Sequence, residues 1–315
     1  MPAEWARHER TLIAWPCRRS LWGPVLEDAR RETAGVANAI AAFEPVLMVC
    51  RPGDGARARA ALAGAVDIWE APIDDSWLRD SGPIVVTNGE RRAVQFGFNA
   101  WGGKFPPWDD DATIAGRLCD HLAIAWERSP MILEGGAIAV DGAGTLVTTE
   151  ECLLNPNRNP GWSREEIEGE LRARLGVERI VWLAHGLVED RDTDGHVDLV
   201  AAFAAPGVVA LLAVDDDNPN AERLAAAREA LRAAGLDVLD VPGLVYEDVA
   251  GERIAVSPMN LYVCNGAVVM SDADEGALEA VRTAFRDREV VGVEASTLAY
   301  GGGGPHCITQ QVPYR

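Results

Sequence analysis

The 315-residue sequence has no long apolar run, and none of its segments approaches the roughly 18 to 20 residues that a membrane-spanning helix requires. The first ten residues lack an apolar signal core, so we expect a cytoplasmic protein with no membrane partner. Basic residues are few, with 29 Lys and Arg against 49 Asp and Glu. The resulting net charge of −20 argues against a nucleic-acid partner, which would need a basic face, and suits a small cationic substrate.

The sequence also lacks the cysteine spacing of metal and disulfide frameworks. Its six cysteines are scattered and include no C-x-x-C pair, which indicates thiols and neither a zinc knuckle nor a set of disulfides. No linker rich in Pro or Ser and no break in composition divides the chain. We therefore predict a single domain over residues 1–315.

Short β-rich runs alternate with amphipathic helices along the chain, which predicts the α/β class. One helix begins with a capping box, since Glu166 follows Ser163 by three residues. Asp141 and Gly142 mark a hairpin turn between the runs 131–140 and 144–149. Helices are predicted over 27–42, 57–62, 112–123, 163–175, 220–234 and 274–285. Further strands are predicted over 11–15, 44–50, 66–70, 84–87, 92–98, 178–183, 199–203, 208–214, 238–241 and 290–293, with a hairpin over 261–270.

Four consecutive glycines, Gly301 to Gly304, lead to His306 and Cys307 near the end of the chain. Glycine places no side chain in a turn, so backbone or ligand can approach closely. A cysteine directly after such a turn is a candidate nucleophile, although a free cysteine is commonly just a small buried apolar residue. The run does not match a phosphate loop, because no Gly-Lys-Ser/Thr follows it.

Two carboxylates lie in unusual sequence surroundings, one within an apolar run and the other in a polar loop between apolar strands. Glu134 interrupts the apolar run 131–140, and a buried carboxylate is costly unless it is paired or binds a cation. Asp80 lies in a polar loop between two apolar strands, where function is common. The alternatives are that Glu134 pairs with an arginine and that Asp80 caps the turn before Gly82.

His196 and Asp198 are two residues apart, a spacing that places both side chains on one face of a strand. The pair could face a common ligand or bond only to each other. Together with Glu134, Asp80 and Cys307 they describe a site for a planar cation. A guanidinium has five N–H donors in fixed directions, and one carboxylate can accept hydrogen bonds from two of them at once.

Seven segments carry a resemblance to a known family. They are Met-Pro-Ala-Glu-Trp at 1–5 with His-Glu-Arg-Thr at 8–11, Asp-Asp-Ser-Trp-Leu-Arg-Asp-Ser-Gly-Pro at 74–83, Phe-Asn-Ala-Trp-Gly-Gly-Lys at 98–104, Leu-Glu-Gly-Gly at 133–136, residues 148–155, Asp-Thr-Asp-Gly-His-Val-Asp at 192–198, and residues 301–311. The sequence resembles the agmatine deiminase family, of the bacterial-type peptidylarginine deiminase group in the guanidino-group-modifying (pentein) superfamily.

The resemblance implies a five-bladed α/β-propeller of ββαβ units around a pseudo-fivefold axis, assembled as a homo-oligomer. It implies hydrolysis of agmatine to N-carbamoylputrescine and ammonia, a reaction of putrescine and polyamine biosynthesis, through a covalent thiouronium on cysteine. No metal and no cofactor are implied. The partner is a small cationic guanidine.

The family's catalytic roles fall on five positions here. Cys307 would be the nucleophile. His196 would protonate the departing ammonia and then activate water. Asp80 and Asp198 would hold guanidinium nitrogens, and Glu134 would bind a third.

Further residues are expected to bind the rest of the substrate. Trp77 would pack on the aliphatic stem, and Asp192 or Asp194 would bind the free amine. Gly303 and Gly304 complete the predicted substrate-binding set.

The thiol is expected to ionise only when substrate is bound. An isolated thiol titrates near pH 8.5, and nearby carboxylates disfavour the thiolate of Cys307 further. A bound cation reverses this effect, so we expect substrate-assisted activation.

Departures from the family pattern concern the choice of guanidine. They are Leu199 in place of asparagine, Gly304-Pro305 in place of Asn-Ile, and an altered, shortened region over 257–274. The alternatives are another guanidine (arginine, a peptidylarginine or a methylated arginine) with Arg79 or Lys104 near a substrate carboxylate, an amidinotransferase, and a non-catalytic guanidine-binding protein. A metal hydrolase is a further alternative, built from His196, Asp198, His306 and Cys307.

Overall fold

The computed structural model describes residues 1–314, which form eighteen strands and eleven α-helices. The strands are β1 (His8–Ala14), β2 (Val46–Cys50), β3 (Val66–Glu70), β4 (Ile84–Asn88), β5 (Glu90–Gly97), β6 (Ala125–Ile132), β7 (Ile138–Val140), β8 (Thr145–Thr149), β9 (Arg179–Leu183), β10 (Ala201–Ala205), β11 (Val208–Leu212), β12 (Asp237–Val241), β13 (Val245–Val249), β14 (Glu252–Val256), β15 (Tyr262–Cys264), β16 (Ala267–Ser271), β17 (Glu289–Val293) and β18 (Thr309–Pro313). The helices are α1 (Arg19–Trp22), α2 (Leu26–Ala41), α3 (Gly55–Ala61), α4 (Leu78–Ser81), α5 (Ala100–Gly103), α6 (Asp111–His121), α7 (Glu150–Leu153), α8 (Arg164–Leu175), α9 (Ala221–Ala233), α10 (Glu275–Ala284) and α11 (Ser296–Tyr300).

One unit recurs five times along the chain: an antiparallel strand pair, a helix, and a third strand parallel to the second. Strands β4 and β5, helix α6 and strand β6 form one unit, and the same order appears in β7-β8-α8-β9, β10-β11-α9-β12 and β15-β16-α10-β17. The fifth unit joins the two ends of the chain, since β18 pairs antiparallel with β1 before α2 and β2 follow. The expected five-bladed arrangement of ββαβ units is confirmed.

Local sequence explains much of this structure. The capping box of α8 is present, with Ser163 and Glu166 each accepting from the other's backbone N–H, and Gly176 ends the helix with a positive φ. The Asp141–Gly142 turn joins β7 to β8 as predicted. The apolar run 131–140 is not one strand, however, because a 3₁₀ turn at Gly135–Ala137 separates β6 from β7. The hairpin of β13 and β14 has no counterpart in the sequence-based prediction.

The strands at the centre of the sheets are apolar on both faces. All five residues of β2, Val-Leu-Met-Val-Cys, and all five of β16, Ala-Val-Val-Met-Ser, are buried. Such continuous apolar runs are typical of strands covered by helices on one face and by a neighbouring sheet on the other. They hold the loops at the strand ends in place. Within residues 1–314, no helix combines the length and apolar character needed to cross a membrane.

Candidate active site

Each of the five units contributes one polar residue from the loop directly before its first strand. The residue stands two to four positions ahead of that strand, as the strand bounds show. Equivalent loops of units arranged around one axis meet near that axis, so these five side chains converge although they are far apart in sequence. They are Asp80 before β4, Glu134 before β7, Asp198 before β10, Asn260 before β15 and Cys307 before β18.

The imidazole of His196 lies between two carboxylates. Its Nδ1 is 3.9 Å from Asp80 Oδ2 and its Nε2 is 4.0 Å from Glu134 Oε2, and the ring is fully buried. The predicted strand over this segment is wrong: His196 directly precedes a 3₁₀ turn, Val197–Leu199, which contains Asp198. The tight turn, and not strand alternation, directs both side chains to the same site.

The sulfur of Cys307 has two polar neighbours. Asn260 Nδ2 donates to Sγ at 3.0 Å, and the thiol donates to Asp198 Oδ2 at 3.4 Å. Burial raises the pKa of Cys307 well above its ordinary value, and the charges of Asp198 and Asp80 raise it further. The thiol form therefore predominates at neutral pH while no cation is bound.

Asp80 is held by donors on both oxygens. Gly136 N–H donates to Oδ1 and Trp101 Nε1–H to Oδ2, each at 2.9 Å. Burial raises the pKa of Asp80 to about 6, with the charge of Asp198 adding to the effect and that of His196 opposing it. Gly136 is required for this close packing, because a Cβ there would lie 2.6 Å from His196 Nδ1 and 2.9 Å from Asp198 Oδ2.

Glu134 is paired with an arginine on one oxygen only. Arg158 Nε donates to Glu134 Oε1 at 2.6 Å, and both side chains are fully buried. The guanidinium of Arg158 also donates to Asp194 Oδ2 and to the carbonyl oxygen of Thr193, each at 2.8 Å. Arg158 thus ties Glu134 to the loop that leads to His196.

Four buried polar atoms of the candidate site have no hydrogen-bond partner within residues 1–314. They are Glu134 Oε2, Asp198 Oδ1 and both ring nitrogens of His196. A buried polar atom without a partner costs about 1 to 3 kcal/mol, and the two carboxylate oxygens among the four can be satisfied by a ligand with several N–H donors.

The two aspartates predicted to bind the substrate amine lie in different surroundings. Asp192 lines the same pocket as Trp77 and Cys307. Burial and the charge of the nearby Asp190 raise the pKa of Asp192, with Lys104 acting in the opposite direction. Asp194 instead accepts from Lys104, Asn157 and Arg158 and is absent from the pocket lining.

The predicted glycines make room for the side chains of Cys307 and Asn260. A Cβ on Gly303 would lie 2.8 Å from Cys307 Sγ and 2.7 Å from the ring of Trp77, and one on Gly304 would lie 2.8 Å from Asn260 Oδ1. Trp77 itself is fixed by stacking on Trp22, with ring centroids 5.5 Å apart. A larger open cleft of about 710 Å³ elsewhere on the surface contains none of the predicted site residues.

Sequence reasoning missed several residues of the site. Asn260 belongs to a segment noted only for departing from the family pattern, and no local signal marks it. Trp101 and Glu4 lie in segments that carry the family resemblance, but the sequence predicted no role for either side chain. Arg158 had no signal beyond the expectation that a buried carboxylate finds a cation.

Two sets of side chains contain atoms of the kind that bind metal ions, and neither set suits one. Donor atoms of Glu134, Cys152 and His196 lie within 4.8 Å of one another. A dication there would stand beside the guanidinium of Arg158, so the charges do not fit. The alternative set requires His306, whose ring nitrogens both contact carboxylates at 2.8 Å.

Enzymes with five such units around an acidic site with a cysteine form the pentein class, which modifies guanidino groups, and the fold places the present chain among them. Residues 1–313 match the family described as Porphyromonas-type peptidyl-arginine deiminase, and the chain belongs to that family. It is accordingly a hydrolase of the carbon–nitrogen bonds of guanidino groups. The recognition of the family from sequence is confirmed.

Relatives of known name support this membership. A Streptomyces coelicolor protein named "Putative agmatine deiminase" is 45% identical over 333 residues, covering 99% of this chain and 98% of that one. The solved agmatine deiminase of Enterococcus faecalis is 35% identical with a TM-score of 0.95, covering 100% of this chain and 96% of that one. DDAH from Pseudomonas aeruginosa, 13% identical with a TM-score of 0.57 over 97% of this chain and 99% of that one, shares the fold.

Proposed function

We propose that the protein is an agmatine deiminase that hydrolyses the guanidinium of agmatine to N-carbamoylputrescine and ammonia. One observation carries the proposal: Glu134, Asp198 and His196 each have buried polar atoms without a partner, His196 lies between Asp80 and Glu134, and Asp198 contacts the sulfur of Cys307. A guanidinium has the planar shape and the N–H donors to bond the free carboxylate oxygens of Glu134 and Asp198, and its central carbon would then face the sulfur. The names of the relatives point to the same substrate.

Binding brings a positive charge into a site that contains three carboxylates. The free oxygen of Asp198 accepts a hydrogen bond from one guanidinium N–H group, Glu134 Oε2 accepts from a second nitrogen, and Asp80 accepts from the third. The added charge lowers the pKa of Cys307, which burial and the carboxylates raise in the free enzyme. The nucleophile therefore forms when its substrate is present.

The chemistry then proceeds in two steps on the same carbon. The thiolate of Cys307 adds to the guanidinium carbon, and the carbon–nitrogen bond breaks as His196 donates a proton to the departing ammonia. The product of this step is a thiouronium on sulfur. His196, now neutral, accepts one proton from water, whose oxygen attacks the same carbon; the carbon–sulfur bond then breaks and releases the ureido product, and Cys307 leaves as the thiol with the second proton of the water.

The pocket favours a substrate with an amine tail over one with a carboxylate. Among the described residues that line this pocket, Arg18 is the one cation. Its guanidinium already donates hydrogen bonds to the carbonyl oxygens of residues 105, 106 and 107, and its Nε lies 3.8 Å from Asp75 Oδ2. Arg79 and Lys104, the cations considered from sequence, are also hydrogen-bonded to other groups. Asp192 remains to bind the amine of agmatine.

The proposal is tested by incubating the protein with agmatine, arginine, a peptidylarginine and a methylated arginine. We expect ammonia and a ureido product from agmatine, with kcat/KM well above that for the other guanidines. Cys307→Ala should abolish turnover and retain agmatine binding. Turnover of arginine alone would refute the assignment of substrate, and a new guanidine formed from an added amine would identify a transferase.

A further inference from the structure

The imidazole of His306 contacts a carboxylate at each ring nitrogen. Its Nδ1 lies 2.8 Å from Asp198 Oδ2, and its Nε2 lies 2.8 Å from Glu4 Oε1. A neutral imidazole has one N–H, so its other nitrogen would direct a lone pair at an anionic oxygen. Both short contacts are hydrogen bonds only if the ring is an imidazolium. His306 directly precedes the nucleophile and has no part in the reaction described above.

We propose that Glu4 is a positioning residue that holds His306 as an imidazolium, which in turn orients Asp198 beside Cys307. The N-terminal segment thereby completes the active site from the opposite end of the chain. This role explains why the motif at residues 1–5 accompanies the catalytic motifs in the sequence.

The charges around His306 alternate. Arg79 from α4 donates to Glu4 Oε1 at 3.2 Å, so the order is Arg79, Glu4, His306, Asp198, with the thiol of Cys307 beyond. Burial and Arg79 act to lower the pKa of His306, but Glu4 and Asp198 outweigh them and raise it. Burial opposes ionisation of Glu4, yet the charges of His306 and Arg79 lower its pKa to about 2. Each of these four charged side chains is therefore stabilised by a neighbour of opposite charge.

The two carboxylate oxygens of Asp198 have different surroundings. His306 occupies Oδ2, which also receives the Cys307 thiol, and Oδ1 is left without a protein partner. Burial alone would raise the pKa of Asp198, but the hydrogen bond and the charge of His306 bring it below its ordinary value. Asp198 is therefore ionised and oriented before a guanidinium arrives.

Nitrogen-15 NMR of the histidine rings tests the proposal without any substrate. We expect His306 of the wild-type protein to remain an imidazolium at neutral pH and to titrate at lower pH in Glu4→Gln. Glu4→Asp, which keeps the charge, should preserve the imidazolium. The matched control is Glu9→Gln, which removes a carboxylate paired with Arg91 in the same N-terminal region and should leave the titration unchanged. The sequence has five histidines, which keeps assignment simple: His8, His121, His185, His196 and His306.

The kinetic readout rests on the proposed deiminase function. A raised pKa keeps His306 charged as pH rises, so the loss of kcat/KM on the alkaline side should move to lower pH in Glu4→Gln. At mildly alkaline pH we expect a fall of about tenfold or more relative to Glu9→Gln, the effect of one pKa unit. A neutral His306 in the wild-type protein, or the same profile for both variants, would overturn the inference. If no guanidine is turned over, the proposed function fails while the NMR titration still decides the role of Glu4.

Discussion

Replacing Asp198 by Asn should change the reactivity of Cys307 and the turnover of substrate in opposite directions. The sulfur lies 3.4 Å from Asp198 Oδ2. At that distance two unit charges repel by about 1 kcal/mol in water and about 5 kcal/mol at an effective dielectric constant of 20. Removing the carboxylate therefore makes the thiolate easier to form, although it also removes an acceptor for the guanidinium.

The size of the effect on alkylation follows from two opposing trends. A nearby charge changes a pKa by about one to three units, which raises the thiolate fraction roughly ten- to a thousandfold. The intrinsic nucleophilicity of a thiolate falls with its pKa at about half that rate on a logarithmic scale. We therefore expect the free Asp198→Asn enzyme to react with iodoacetamide about three- to thirtyfold faster than wild type at neutral pH, while deimination is nearly lost.

The assay is the rate of alkylation of the Cys307 peptide, followed by mass spectrometry. The other five cysteines are buried and serve as internal references. Asp141→Asn is the matched control, because Asp141 is a buried carboxylate that accepts from Thr145 N–H in the turn between β7 and β8, outside the site. An Asp198→Asn protein that is alkylated no faster than the control would refute the view that carboxylates suppress the thiolate of the free enzyme.

Three further predictions concern the surroundings of Cys307. Gly136→Ala should abolish turnover because its Cβ would lie 2.6 Å from Nδ1 of His196, the proposed proton donor, while Gly169→Ala, in helix α8 with open space around it, should leave kcat unchanged. Arg158→Met should reduce the free energy of unfolding by about 3 to 5 kcal/mol in urea denaturation, because it leaves the buried carboxylate of Glu134 unpaired. The control is Arg172→Met, which removes an exposed ion pair and should reduce the free energy of unfolding by less than about 0.5 kcal/mol. Agmatine binding to an inactive nucleophile variant should strengthen as pH rises through about 6, because ionised Asp80 is the binding form; calorimetry showing tighter binding at lower pH would contradict this role. The raised pKa of Asp80 also affects the stability of the substrate-free protein. Protonated Asp80 stabilises the folded state at pH values below the pKa that Asp80 has in the unfolded chain, and this stabilisation is lost as pH rises through about 6.

Much of the site could be predicted because its residues stand out locally. A carboxylate in an apolar run, a cysteine after four glycines and a histidine two residues from an aspartate are each unusual locally, although each also has a structural interpretation. Glu134, Cys307 and His196 were therefore visible as candidates. The interpretation of the His196–Asp198 pair as a strand was wrong because spacing alone does not distinguish an extended segment from a 3₁₀ turn. Asn260 was missed because its role depends on a contact across 47 residues of sequence.

The sequence alone determined the features that arise from neighbouring residues. The capping box at Ser163, the hairpin turn at Asp141 and the α/β alternation depend on hydrogen bonds and periodicities that a few residues specify. Only the tertiary structure decided which polar residues share a site. Closure of five units around an axis, completed by the pairing of β18 with β1, places Glu4 next to His306 across 302 residues of sequence. Such contacts depend on how whole sheets pack against each other, which no local pattern encodes.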